Sequence, residues 1–171
     1  SDYVFPLNNL ANIYSKLNMF EDAIKYFNQA LKLKSDYFEA LYGLSDVYYK
    51  IQNYDNALSH LNKSIQLKPG YLPPVKSKLH LLKVMKKKQD ILKFLNDMIV
   101  QFPDDAFFYS EKALVLSDLG KETEAINSYK SAYLIEPDYP FVLGKIVFDK
   151  LLNGEWDKIQ NDCEEILSKT E

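Results

Sequence analysis

Residues 106–139, AFFYSEKALVLSDLGKETEAINSYKSAYLIEPDY, carry the pattern on which the fold rests. Tyr109, Ala113 and Leu116 recur at helical spacing, a turn falls at Gly120, and Ala125, Tyr129 and Ala132 resume the helical pattern. Each run spans about a dozen residues, long enough for a helix and too long for a typical strand. Pro137 closes the stretch, where it cannot continue the second helix and can start the next. Pro69, Pro103 and Pro137 are spaced by 34 residues, and the same step lands on Ser35 and Ser1 upstream and on Glu171 downstream. Two residues beyond four of these marks stand Tyr3, Tyr37, Tyr71 and Tyr139. A fixed period of this length means one supersecondary unit stacked repeatedly, not a closed globule.

The period divides the chain into five units, 4–37, 38–71, 72–105, 106–139 and 140–171. In the first, Leu7, Leu10, Ala11 and Tyr14 share one helical face, Leu17-Asn18-Met19 forms a turn, and Ala23, Phe27 and Ala30 share the next face. The pattern resembles the tetratricopeptide repeat, which places small residues at repeat positions 8, 20 and 27, aromatics at 11 and 24, and proline at 32. Position 8 here is Ala11, Ser45, Leu79, Ala113 and Val147; position 20 is Ala23, Ala57, Ile91, Ala125 and Ile159; position 27 is Ala30, Ser64, Met98, Ala132 and Ile166. Helices that cross closely need small residues at the contact, with large ones filling the gaps. Repeats one, two and four follow the pattern, while repeats three and five keep only its register. The resemblance implies an all-α protein, a right-handed superhelical solenoid of about five tetratricopeptide repeats, with ten antiparallel helices in a single domain over 1–171. Ser1-Asp2-Tyr3 has the form of Ser35-Asp36-Tyr37, and no polar capping helix follows repeat five, so the chain is expected to be a segment of a longer protein.

Composition narrows the function. All 21 basic residues are lysine and the net charge is −3, which disfavours nucleic-acid binding and removes the side chain best suited to bidentate phosphate or guanine recognition. No run of 18 apolar residues predicts a membrane span. No stretch reads as a secretory leader, and the single cysteine, Cys163, rules out an internal disulfide and reads as a buried small hydrophobe; a cytoplasmic setting is expected. His60 and His80 have no metal-ligand spacing to cysteine or paired carboxylates, and no Gly-rich phosphate loop occurs. Asp104-Asp105 suits a helix start, and Glu164-Glu165 an exposed face. No catalytic residue, metal or cofactor is therefore expected, and the segment is read as non-enzymatic.

In the tetratricopeptide family the first helix of each repeat lines a concave surface through positions 2, 5, 9 and 12 or 13. The resemblance assigns partner contacts to Asn8, Asn12, Tyr42 and Tyr49 as hydrogen-bonding and amphipathic groups, to Lys76, His80 and Lys83 as charge, and to Phe107, Phe141 and Phe148 as apolar anchors. Lys76, His80 and Lys83 fall on one helical face. Repeat three carries seven lysines against four acids, with Lys86, Lys87 and Lys88 at its turn, whereas repeats four and five are each −3. An acidic peptide would be steered to the middle of such a groove in a salt-dependent manner. The first helix of repeat five, with Phe141, Phe148 and Leu151 beyond its packing stripe, is expected to be covered by a partner, another domain or self-association.

Two groove chemistries of the family are not reproduced. The carboxylate clamp of chaperone-binding members would fall on Asn8, Asn12, Gly43, Pro73 and Ser77, of which only Asn12 fits. The asparagine ladder of O-GlcNAc transferases keeps Asn9 but meets Gly43, Ser77, Glu111 and Lys145. Residues 141–156, ending at Trp156, nevertheless resemble the join to a glycosyltransferase domain in that wider family. The leading expectation is a protein–protein interaction scaffold that binds a peptide or neighbouring domain, without nucleic acid or membrane. The alternative is an accessory substrate-recognition segment of an O-GlcNAc-transferase-like enzyme.

Overall fold

The structure, a computed structural model, describes residues 3–139, 142 and 144–147. The expectations placed on Phe141, Phe148, Leu151, Trp156, Cys163 and Glu164-Glu165 lie outside those residues. The chain forms two compact units, residues 1–86 and 87–171. The first holds α1 (Val4–Lys16), α2 (Phe20–Leu33), α3 (Phe38–Lys50), α4 (Tyr54–Leu67) and α5 (Leu72–Val84). The second holds α6 (Lys88–Gln101), α7 (Ala106–Ser117) and α8 (Glu122–Ile135), followed by helical residues at 142 and 144–147. Every described residue in regular secondary structure is helical. The helices α1, α3, α5 and α7 start 34 residues apart, as do α2, α4, α6 and α8.

Both kinds of turn have a local cause. Within each repeat the chain reverses through a left-handed residue, at Asn18 (φ 59°), Gln52 (φ 61°), Lys86 (φ 56°) and Gly120 (φ 72°). These four positions are again 34 apart. In the first, Asn18 N–H donates to the Ser15 carbonyl at 3.2 Å and Met19 N–H to the Tyr14 carbonyl at 2.9 Å, so the last helical carbonyls are satisfied in a Schellman cap. Between repeats the chain makes a tight turn in which Tyr37 N–H donates to Lys34 O at 3.2 Å, Tyr71 to Lys68 at 3.1 Å, Asp105 to Phe102 at 3.3 Å and Tyr139 to Glu136 at 3.0 Å. Pro69, Pro103 and Pro137 occupy the second place of that turn, where proline's fixed φ is already correct. The periodic proline thus shapes a turn and does not open the next helix. Pro73 and Pro74 lie in the first turn of α5, where a missing N–H leaves no helix bond unmade.

The small residues sit where the helices cross. Ala11, Ala23, Ala30, Ala57, Ala113 and Ala132 have no exposed surface. Ser64 fits the same place by donating its hydroxyl to the Phe38 carbonyl at 3.1 Å. In repeat three Leu79, Ile91 and Met98 are buried in place of small residues. One core surrounds Phe27, fully buried among Ala11, Ala23, Ala40 and Leu44. Burying such a ring contributes about 1.5–3 kcal/mol. In the second unit Val142 and Ile146 pack against Ala113, Tyr129 and Ala132, as their apolar spacing predicts.

Candidate functional site: a cleft between α3 and α5

The first helices of repeats two and three are joined by side-chain bonds. The Tyr42 hydroxyl lies 3.2 Å from Ser77 Oγ, and the Tyr49 hydroxyl 3.0 Å from His80 Nε2. On the neighbouring pair, Lys50 Nζ donates to Ser15 Oγ at 3.2 Å, linking α3 to α1. Tyr42–Ser77 and Ser15–Lys50 both span 35 residues, one repeat plus one, so the period carries the link along the first helices.

Between these bonds opens a cleft of about 340 Å³, lined by Tyr42, Ser45, Asp46, Tyr49, Leu61, Lys76, Ser77, His80 and Leu81. Leu61 and Leu81 are buried and form its apolar base. Ser45 turns its hydroxyl inward, onto the Tyr42 carbonyl at 2.6 Å. Asp46 pairs with Lys50 at 2.8 Å along the same helix. His80 and Lys76 are exposed, and the His80 ring lies tilted against Tyr49 with centroids 5.7 Å apart.

Four of the ten candidate contact residues, Tyr42, Tyr49, Lys76 and His80, therefore meet at one place. Lys83 is exposed three residues further along α5, outside the lining. Asn12 is exposed on α1, but Asn8 is buried, and its Oδ1 is out of reach of solvent and has no donor. Phe107 lies in the second unit, half-buried and edge-on to Phe108 with centroids 5.3 Å apart. Phe141 and Phe148 lie outside the described residues. The candidate set lacked Ser45, Asp46, Leu61, Ser77 and Leu81, which complete the cleft. The signal for Ser77 was the tyrosine one repeat and one residue before it.

The remaining charged and titratable features lie elsewhere. Lys88, in the lysine run, donates to the Asp118 carbonyl at 2.8 Å and so ties α6 to the end of α7. His60 stacks on Tyr48 with centroids 5.4 Å apart, the counterpart of the Tyr14–Tyr26 stack one repeat earlier. Burial, and then the nearby Lys63, hold its imidazole below the usual histidine range. Among the described residues no group of three His, Cys, Asp or Glu side chains is placed to hold a metal ion. Among them also, no helix is long and apolar enough to cross a membrane.

A 34-residue helix–turn–helix period with small residues at its crossings defines a helical-repeat solenoid. Tetratricopeptide repeat family models match residues 5–37, 38–71 and 108–139, together more than half of the chain. The chain belongs to the tetratricopeptide-repeat family. Proteins of this family are typically non-catalytic, and the chain is a protein-interaction scaffold. No curated protein matches the sequence at a significant level. Among solved structures, a crystal structure of MamA is 20% identical with a TM-score of 0.72, covering 98% of this chain and 92% of that one. MamA from Desulfovibrio magneticus RS-1, from residue 41 to its end, is 16% identical with a TM-score of 0.70, covering 98% and 95%. YrrB, described as a TPR protein with an unusual peptide-binding site, is 20% identical with a TM-score of 0.61, covering 96% and 82%. At these identities the likeness is one of fold.

Proposed function

We propose that the chain is a peptide-binding module whose recognition centre is the α3–α5 cleft. The observation that carries this reading is the convergence of Tyr42, Tyr49, Lys76 and His80 on one solvent-open, apolar-floored cleft. Tyrosine rings offer rigid contact area together with a hydroxyl, the combination that peptide-binding surfaces favour. Asn12 and Lys83, both exposed on the first helices, supply flanking contacts. The lysine excess of repeat three favours an acidic partner segment. The five-repeat single domain over 1–171 remains part of this reading, as does a cytoplasmic setting, supported by one cysteine in 171 residues. Self-association through repeat five and a join to a glycosyltransferase both rest on residues outside those described.

The reading is tested by selecting peptides against the 171-residue chain from a random display library and measuring their affinity for Tyr42→Ala and Tyr49→Ala variants. Each substitution is expected to weaken the selected peptides by about tenfold, as removal of a buried aromatic anchor does. Peptides that bind both variants as well as the parent chain would place recognition elsewhere.

A further inference from the structure

We propose that the outer face of α1 is a docking surface for one amphipathic helix of a partner protein, a helix with leucine at its centre and a small residue one turn to either side. The evidence is a comparison of the first helices at equivalent repeat positions. Ala40, Leu44 and Val47 of α3 are buried and share one core with Ala23, Phe27 and Ala30 of α2. Leu81 of α5 is buried with Ala57 and Leu61 of α4. In the second unit Val142 and Ile146 are buried with Tyr129 and Ala132 of α8. The corresponding residues of α1 are Pro6, Leu10 and Ile13. Pro6 is exposed and Leu10 half-buried, and Ile13 is 53% exposed where Val47, Leu81 and Val115 are at most 5% exposed. Tyr3 and Leu17, both exposed, extend this row at either end, so apolar residues 3, 6, 10, 13 and 17 follow one helical face.

The composition of the stripe and the rest of the chain identify the occupant. An end face that meets water carries polar residues, whereas this row is apolar. The same positions on α3 and α5 are covered by the second helices α2 and α4, which present Ala23, Phe27 and Ala30, and Ala57, Leu61 and Ser64. Docking on α1 therefore continues an interface that the chain already builds between its repeats. A second copy has no such helix to offer among the described residues, because α2, α4, α6 and α8 already bury these side chains in their own units. Asn9 sets the size of the central residue. It stands at the position of Gly43 and Ser77. A Cβ at Gly43 would overlap the Phe27 ring, so phenylalanine requires glycine there, while Leu61 stands with serine. With asparagine at that place, α1 accepts leucine and resists phenylalanine.

The test uses the full 171-residue chain, isotopically labelled, and a synthetic probe copying the 14 residues of α4, Tyr54–Leu67. The probe carries Ser59→Glu joined to Lys63 by a lactam, which holds it helical through two residues that are exposed in α4. Binding is followed by amide shifts in NMR. The probe is expected to bind with shifts centred on Leu10, Ile13 and Leu17. Ile13→Lys in the chain, a change at an exposed site that leaves the α3 and α5 spectrum in place, should weaken it by about tenfold or more, because the ammonium would be covered without a partner. Leu61→Phe in the probe should weaken it by about tenfold. Absence of binding at about 1 mM probe, an affinity unchanged by Ile13→Lys, equal affinity of the leucine and phenylalanine probes, or shifts centred on α3 or α5 would overturn the proposal. So would a concentration-dependent dimer of the unlabelled chain in sedimentation that Ile13→Lys abolishes, since the occupant would then be a second copy.

Discussion

The two helical units close the junction between repeats with different pairs of side chains. In the first, Phe27 of α2 is fully buried, and a Cβ added at Gly43 of α3 would overlap its ring. One repeat on, the same two positions hold Leu61 and Ser77, both in the cleft lining. In the second unit they hold Leu95, fully buried, and Glu111. A large ring demands glycine opposite it, and a smaller side chain permits serine or glutamate. At Phe27 the ring takes the space that a Cβ at Gly43 would need; one repeat on, Leu61 stands with Ser77 opposite it, and both line the cleft. A repeat lattice can thus hold its backbone constant and place a binding site by trading volume at one pair of positions.

The strongest way to break this comparison is to empty the filled junction. Phe27→Ala should cost about 3–5 kcal/mol in urea unfolding, the range for losing a fully buried ring. Gly43→Ala should cost about 1–3 kcal/mol in the parent chain, because the added methyl meets the Phe27 ring. In a Phe27→Leu background the cost should vanish, as the junction then resembles Leu61 with Ser77. A cost of Gly43→Ala that is the same in both backgrounds would show that the two positions are not coupled.

The left-handed turns offer a second comparison between the units. Gly120 adopts φ 72° without a Cβ, whereas Lys86 adopts φ 56° with one. Lys86→Gly should stabilise, and Gly120→Ala destabilise, each by about 1 kcal/mol in thermal or urea unfolding. Equal and negligible effects would mean that the turn is held by its hydrogen bonds alone.

The smallest effect concerns pH and the stacks of the first unit. His60 is held below its ordinary value of 6.5, so in the folded state it resists protonation. Below that value the unfolded chain binds the extra proton and the folded one does not. The contribution is present above pH 6.5 and is lost as pH falls towards the lowered folded value. His60→Tyr, which copies the Tyr14–Tyr26 stack, should flatten the stability difference between pH 7.5 and 5.5 by up to about 1 kcal/mol. An unchanged pH dependence would show that His60 titrates alike in both states.

Much of the molecule was legible because its signals are local. Helix starts, turn prolines and small crossing residues each depend on a few neighbouring side chains, and the period repeats them until chance agreement disappears. The proline's role was read a step wrong: it belongs to the turn between repeats, a distinction of one backbone hydrogen bond. At the candidate site, family positions located Tyr42, Tyr49, Lys76 and His80 because the first-helix face follows the register. They also proposed Asn8, which sits on the same face yet is buried. Position within a repeat sets the direction of a side chain, but the neighbouring helix decides whether it reaches solvent.

Sequence alone therefore determined the helical repeat, its 34-residue length, the family and the lysine excess of the third repeat. These rest on periodicity, covalent backbone preference and formal charge, which a linear chain carries by itself. Tertiary structure decided that Ser77 joins Tyr42 and that His80 joins Tyr49 beside the opening they share. Hydrogen bonds and cavities depend on distances of a few tenths of an ångström between residues more than thirty apart in sequence, and only packing sets those distances.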